Sequence, residues 1–370
     1  MKTMKRYLGI IVGILFLSFS TVTFASYDAH KAEGEHATHN EAHGSHGPID
    51  SPDKINEYIK HHLQDAHHFI LYTNGETGKH VGFSLPVILW DGGFHFFSAS
   101  KFEHETKVVS SKGNHYVLFH DKIYKTNAEG KLNMDENVKP LDLSITKSVV
   151  GMLLSGLLMI AFFGGLARSY KKGPIPKGLG RALEPLVVYV RDEIARPNIG
   201  ETKYRKFMPF LLTVFFFIWI LNLLGLTPLG FNVTGNIAVT FSLALFTFII
   251  VQFSANKAYW GHIFWMPGVP VPMKIILAPI EVLGILTKPF SLMIRLFANI
   301  TAGHFVLMSL IALMIVLKAS FGPVASTGMS LLLSLFIMLI ELLVAFLQAF
   351  IFTMLSSLFI GMAVADHDHH

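Results

Sequence analysis

Glu281, Lys288, Arg295, Asn299, His304, Glu341 and Gln348 stand in otherwise apolar sequence in the last third of the chain. An arginine at bilayer depth costs roughly 2.5–3.5 kcal/mol on insertion scales, so charge kept there is functional by default. The guanidinium of Arg295 holds its proton at working pH; it can bias a neighbouring charge but cannot relay a proton. His304 and Glu341 both titrate, and together they suit a proton path. Asn299 and Gln348 fit either a place beside the arginine or interhelical hydrogen bonding as structural glue. For Lys288 and Glu281 the competing readings are a snorkelling side chain and a helix-end position near the membrane surface.

Spacing relates these groups to one another. On a helix turning about 100° per residue, Glu281, Lys288 and Arg295 repeat at heptad intervals on one face and Asn299 follows a turn later, whereas His304 points to the opposite side. Glu341 and Gln348 share one stripe of a second segment. If the two segments fold antiparallel about Gly322-Pro323, Arg295 comes level with Gln348 and His304 with Glu341, which makes two polar layers at matched depths.

The elements that carry them are long. Met273 to Lys318 and Val324 to Ala365 read as helices joined at Ser320-Phe321-Gly322-Pro323. Each would extend about 60–70 Å at 1.5 Å per residue, twice the roughly 30 Å hydrocarbon layer. They must be kinked, with Pro279 and Pro289 as candidate sites, or strongly tilted.

The composition agrees with a membrane setting. Of 370 residues 52% are hydrophobic and 32 are Phe, too apolar for an ordinary soluble enzyme. Ser148 to Ala167, Phe207 to Asn256, Leu296 to Leu317, Ala319 to Ile340 and Leu342 to Ala365 contain no Asp, Glu, Lys or Arg, and the second run is long enough for two spans. The net charge of +5 reads as loop charge that sets topology, with no nucleic-acid footprint. The absence of Cys excludes disulfides and thiolate chemistry.

Four regions follow along the chain. Residues 1–25 join Lys2, Lys5 and Arg6 to an apolar core and a Thr23-Phe24-Ala25 end, the pattern of a cleavable secretory signal. Residues 26–52 are rich in His, Gly, Glu and Ala and are expected to be disordered. Here His36, His39, His43 and His46 could turn toward a metal on a helix, but a soluble tether is the plainer reading because nothing accompanies them. In residues 53–143 short β-prone runs at Phe69 to Tyr72, Val81 to Trp90, Phe94 to Phe97, Lys107 to Ser110 and Tyr116 to Tyr124 alternate with Asn74-Gly75, Asp91-Gly92-Gly93 and Gly113-Asn114 turns, which predicts a small β-rich domain outside the cytoplasm. Residues 144–370 form the membrane domain.

Within that domain the first span ends in Arg168, Lys171 and Lys172, so the positive-inside rule sends it from outside to inside. Residues 168–206 carry ten Lys or Arg against four acidic residues, and Leu179 to Ala195 has the periodicity of a helix lying in the interface. The fold class expected is thus an all-α polytopic membrane protein. It has about five membrane-embedded helices plus an interfacial one, the last two forming a long, tilted antiparallel hairpin.

Lys288-Pro289, Ser291-Leu292 and Arg295-Leu296-Phe297-Ala298-Asn299, followed by Ala302-Gly303, resemble the hallmark of the a subunit of bacterial F-type ATP synthases. Glu341 with Gln348-Ala349-Phe350-Ile351-Phe352 is similar to the signature on that family's last helix, and Ile218 to Pro228 and Asn232-Val233-Thr234 are similar to it upstream. The likeness covers about 145 to 365. It implies a non-catalytic, proton-translocating stator subunit in the inner membrane, with its N-terminal domain periplasmic and its C-terminus cytoplasmic. The implied partners are the c-ring, the b-subunit stalk, the other Fo and F1 subunits and the lipid bilayer, and no cofactor or metal enters. The family's essential arginine falls on Arg295; Glu341 and His304 would line the inlet, Asn299 and Gln348 would flank the arginine, and Glu281 would belong to the outlet. Many bacterial relatives carry an acidic residue in place of His304 and a histidine in place of Glu341, a swap that keeps one carboxylate and one imidazole in the channel. The alternatives are an independent transporter or channel using the same groups, against which no internal repeat is seen, and a metal-binding receptor centred on the His-rich region.

Overall fold

The computed structural model describes residues 65–73, 80–102, 107–119, 121–128, 130, 139–173, 175–227 and 231–365, without the side chains at 70–73, 80–81, 172, 179, 304, 307–308, 311–312, 314–321 and 323. The expected signal segment, the His-rich segment with His36, His39, His43 and His46, and the turn expected at Asn74-Gly75 lie outside the described residues.

Alternation of buried and exposed residues builds the β-rich part. Strands β1 (His68–Thr73) and β2 (His80–Ser84) pair antiparallel. Strands β3 (Pro86–Trp90), β4 (Phe94–Ser98) and β8 (Leu141–Asp142) form a sheet in the order β4-β3-β8, and β5 (Val109–Ser111), β6 (Asn114–Phe119) and β7 (Lys122–Thr126) form another in that order. Val87, Leu89, Phe97, Phe102, Tyr116, Leu118 and Ile123 make their shared core. Two runs expected as single strands are each a pair. Val81 to Trp90 breaks at Leu85, whose N–H donates to the His67 carbonyl and whose carbonyl accepts from Ala99 N–H. Tyr116 to Tyr124 is a hairpin turning at Asp121, where φ is 58°. The turn expected at Gly113-Asn114 sits one residue earlier, with positive φ at Lys112 (49°) and Gly113 (87°). Lysine is a poor cue for that conformation, which favours Gly, Asn and Asp.

The β-rich part is rooted in the helices. Phe69 stacks on Phe83 and meets Phe231 edge-on, so both Phe69 and Phe231 belong to the helical core. The Asp65 carboxylate accepts from the Thr146 hydroxyl at 2.9 Å and the Ser148 N–H at 3.0 Å, capping the first helix from a distance. Behind it His67, 2% exposed, lies 3.7 Å from Asp142. Burial alone would lower the His67 pKa, but contact with Asp142 and the charges of Asp142, Asp121 and Asp65 raise it above its ordinary value. Burial pushes Asp142 upward, yet His67 and Ser144 hold it below the usual carboxylate range.

A raised histidine stabilises the fold below its unfolded pKa and loses that contribution as pH rises through the folded value; a depressed carboxylate loses its contribution as pH falls through its own. The pair is therefore strongest between the two. Asp142→Asn should lower stability by on the order of 3 kcal/mol near neutral pH, as breaking one side of a buried pair does. A pH series of thermal unfolding midpoints should show the parental advantage shrinking on the alkaline side, and an unchanged midpoint in Asp142→Asn would refute the pairing.

Helix α1 (Lys147–Lys172) leads away from the β-rich part. Helix α2 (Leu179–Tyr189) runs through a π-helical segment, Val190–Ala195, into the short α3 (Arg196–Ile199). Its apolar stripe is covered by the bundle: Val190 and Ile194 are fully buried and Leu183, Leu186 and Val187 pack on the core. Helix α4 (Tyr204–Gly225) returns to the β-domain side and is the most enclosed element, with an unbroken buried run from Pro209 to Ile218. Helix α5 (Ile237–Ser254) descends again, and α6 (Lys257–Phe264) crosses to α7 (Val271–Val364). Asn236 and Asn256 N-cap α5 and α6 with their side-chain oxygens.

Helix α7 contains one non-helical residue, Gly322 (φ 78°, ψ 166°), and there folds into two arms. The positive φ is open to glycine and strained for most other residues. The helix continues through Pro279 and Pro289, so neither breaks it. The second arm, Val324–Val364, has 41 residues, or about 60 Å of helix, so it cannot stand upright within a roughly 30 Å layer. Its last carbonyls are capped by Lys203 Nζ on Val364 (2.7 Å) and Asn256 Nδ2 on Ala365 (2.7 Å). Among the described residues five segments, α1, α4, α5 and both arms of α7, are long and apolar enough to cross a membrane, as in a multi-pass membrane protein.

Candidate functional site

The polar groups singled out in the sequence lie along the two arms of α7, and α4 and α5 hold those arms in place. Small residues permit the approach: Ala345 and Ala349 are buried, and a Cβ at Gly361 would lie 1.9 Å from the Asn198 carbonyl oxygen. Asn222 on α4, 2% exposed, donates from Nδ2 to the Ala345 carbonyl (3.3 Å) and accepts the Thr234 hydroxyl (3.0 Å). A buried side-chain bond to a helix carbonyl thereby fixes the height of the second arm against α4.

Two layers connect the arms. In the first, Asn299 Nδ2 donates to Gln348 Oε1 at 2.8 Å. Gln348 is 1% exposed and its Nε2 has no hydrogen-bond partner among the described residues. Index arithmetic about Gly322-Pro323 sets Arg295 level with Gln348; the structure gives that partner to Asn299, one turn nearer the hinge. In the second layer Glu341 faces Gly303, where a Cβ would lie 2.7 Å from Glu341 Oε1. Glycine there lets the carboxyl group lie against the first arm, and Oε1 is buried without a donor among the described residues. His304 is the next residue along, but its side chain lies outside the described residues.

Arg295 sits one turn from the first layer, toward the side away from the β-rich part. It is half-buried and makes no hydrogen bond or ion pair with a described residue. Ile294 (55% exposed) is next to it in the chain and Phe290 (46%) lies one turn from Ile294, both on an apolar surface that no other described part of this chain covers. Farther from the hinge, Lys288 Nζ lies 5.3 Å over the Phe359 ring of the second arm, and Glu281 follows two turns on. The heptad set is thus spread along one face of the arm: Lys288 lies over Phe359 of the second arm, Asn299 bonds Gln348, and Arg295 between them is half-buried at the margin of that apolar surface.

Sequence reasoning passed over the chemistry of Asn222, Gln252 and Tyr259. Asn222 and Gln252 carried a signal as amides inside the uncharged run from Phe207 to Asn256. Tyr259 carried none, since its placement depends on how α6 folds back.

The arrangement presents a fixed cation at an open apolar surface, with titratable groups displaced to either side of it along the hairpin. Comparison with known proteins gives it a context. The family described as ATP synthase A chain matches residues 149–361. A domain of unknown function matches residues 58–143. The ATP synthase subunit a 2 of Chlorobaculum tepidum is 48% identical over 241 residues, covering 63% of this chain and 67% of that protein. The ATP synthase subunit a 2 of Prosthecochloris aestuarii is 39% identical over 319 residues, covering 81% of this chain and 97% of its own length. The ATP synthase subunit a of Chlorobium phaeobacteroides (strain BS1) is 46% identical over 236 residues, covering 62% and 68% respectively.

Proposed function

The chain belongs to the ATP synthase A chain family, and from that premise we propose that it is the proton-translocating stator of the membrane sector, with Arg295 as the fixed charge between two half-channels. The observation that carries this reading is the half-buried Arg295, without a partner among the described residues, beside an apolar surface that no described part of this chain covers. An uncompensated guanidinium in a membrane calls for an anion from elsewhere. A rotor carboxylate passing that surface supplies it. The cation favours the ionised carboxylate, so the rotor site must give up its proton before it passes.

The inlet lies on the β-domain side, where Glu341, His304 and the Asn299–Gln348 pair lead toward Arg295. The outlet lies on the other side through Lys288 and Glu281. The β-rich domain is exported and the C-terminus is cytoplasmic, in accord with Arg168, Lys171 and Lys172 at the far end of α1. Assembly with the c-ring and the b stalk follows from the same reading.

The surface can be tested directly because the chain has no cysteine. With cysteine at Phe290 or Ile294, a short bifunctional reagent is expected to link the chain to a small multicopy protein bearing a mid-membrane carboxylate. Cross-links only to a second copy of this chain would overturn the assignment of that surface.

A further inference from the structure

Lys288 and Glu281 precede Arg295 by seven and fourteen residues on the first arm. At 1.5 Å per residue those steps are about 10 Å each. A proton moves along hydrogen-bonded groups about 3 Å apart, so the arm alone cannot carry it across either gap. Two other helices bring polar groups to this region. Gln252, in the last turn of α5, lines with Thr247, Lys288 and Phe359 a small cavity between α5 and the two arms of α7. Tyr259, in the first turn of α6, has its hydroxyl buried within electrostatic reach of Glu281.

Each group keeps a buried oxygen that no described residue satisfies. Gln252 Oε1 and the Tyr259 hydroxyl oxygen are buried without a partner at full hydrogen-bond geometry among the described residues, although the Gln252 carboxamide approaches the phenol closely enough to oppose the rise of its pKa. Burial pushes the Tyr259 pKa up, the Gln252 carboxamide opposes this, and the Glu281 charge adds to it, so the phenol stays neutral and can both donate and accept. A buried polar group left unpaired costs about 1–3 kcal/mol. A water held by two to four polar partners relieves that cost; Gln252 and Lys288 share one cavity, and Tyr259 lies within the influence of both Gln252 and Glu281.

We propose that Gln252 and Tyr259 are positioning residues of the outlet, holding bridging water between Lys288 and Glu281 so that a proton leaving the Arg295 region reaches the side opposite the β-rich domain. This rests on the stator reading above. No bond to either residue breaks; each donates and accepts hydrogen bonds within a chain of waters that passes one proton along.

The test uses the assembled complex in sealed membrane vesicles. Cysteine placed singly at Gln252 and at Tyr259 is expected to react with a membrane-impermeant thiol reagent added on the side opposite the β-rich domain, and the reaction is expected to block ATP-driven proton pumping. Gln252→Leu and Tyr259→Phe are expected to slow pumping roughly tenfold while the rotor still co-purifies, and Gln252→Asn should restore part of the rate. Cysteines that fail to react from that side, or leucine and phenylalanine variants that pump at the parental rate, overturn the proposal. Arg295→Ala serves as the reference: if it pumps, the stator reading itself fails, and if it is inactive while the Gln252 and Tyr259 variants are unimpaired, only the outlet proposal fails.

Discussion

Replacement of Arg295 by alanine is expected to reduce coupled ATP-driven proton pumping by at least about a hundredfold, the scale seen when one preorganised electrostatic group is removed from a low-dielectric site. The surrounding structure makes this a clean experiment. Arg295 has no hydrogen bond or ion pair with a described residue of its own chain, so the substitution leaves no partner stranded and the subunit should accumulate and assemble. A structural arginine would behave in the opposite way: removal would expose an unpaired buried acceptor and deplete the protein. Arg295→Lys should also be strongly impaired, because an ammonium group loses its proton more readily when desolvated and lacks the planar guanidinium fork. The measurement is quenching of a pH-sensitive dye in vesicles, alongside the amount of assembled complex. Retained coupled pumping in the alanine variant would sink the assignment.

Much of this hairpin was legible in the sequence because helical periodicity is local. The Gly322 break, the length of the arms and the placement of polar groups in two layers all follow from indices and hydropathy. What the indices could not fix was height to within one turn. Gln348 meets Asn299 instead of Arg295, since the relative height of the arms also depends on α4, where Asn222 bonds the Ala345 carbonyl, and on Gly361 against Asn198. The break at Leu85 was hidden for a similar reason: its partners are His67 and Ala99, a contact made in tertiary structure and not by the β-prone run itself. Tyr259 is the extreme case. Its surroundings come from three helices, and nothing in its neighbouring residues distinguishes it from an interfacial aromatic.

The second layer yields a prediction that separates a proton path from simple packing. Glu341→Gln is expected to slow pumping by roughly a hundredfold, the lower range for loss of a positioned acid–base group, because glutamine keeps the shape of the carboxyl group against Gly303 and removes only its titration. Packing alone would predict little change. The exchange variant tests whether position or chemistry matters. His304→Glu alone places two carboxylates in one layer, and Glu341→His alone places two imidazoles there; each disturbs the charge balance by repulsion between like groups or by loss of the acid. Carrying both changes restores one carboxylate and one imidazole on opposite arms, so the double variant should pump faster than the slower single one. Residues in contact typically couple by about 0.5–3 kcal/mol, whereas independent sites add within a few tenths. Rates in which the two losses simply multiply would mean that the groups act separately, and the inlet would then have to be drawn through Glu341 without His304.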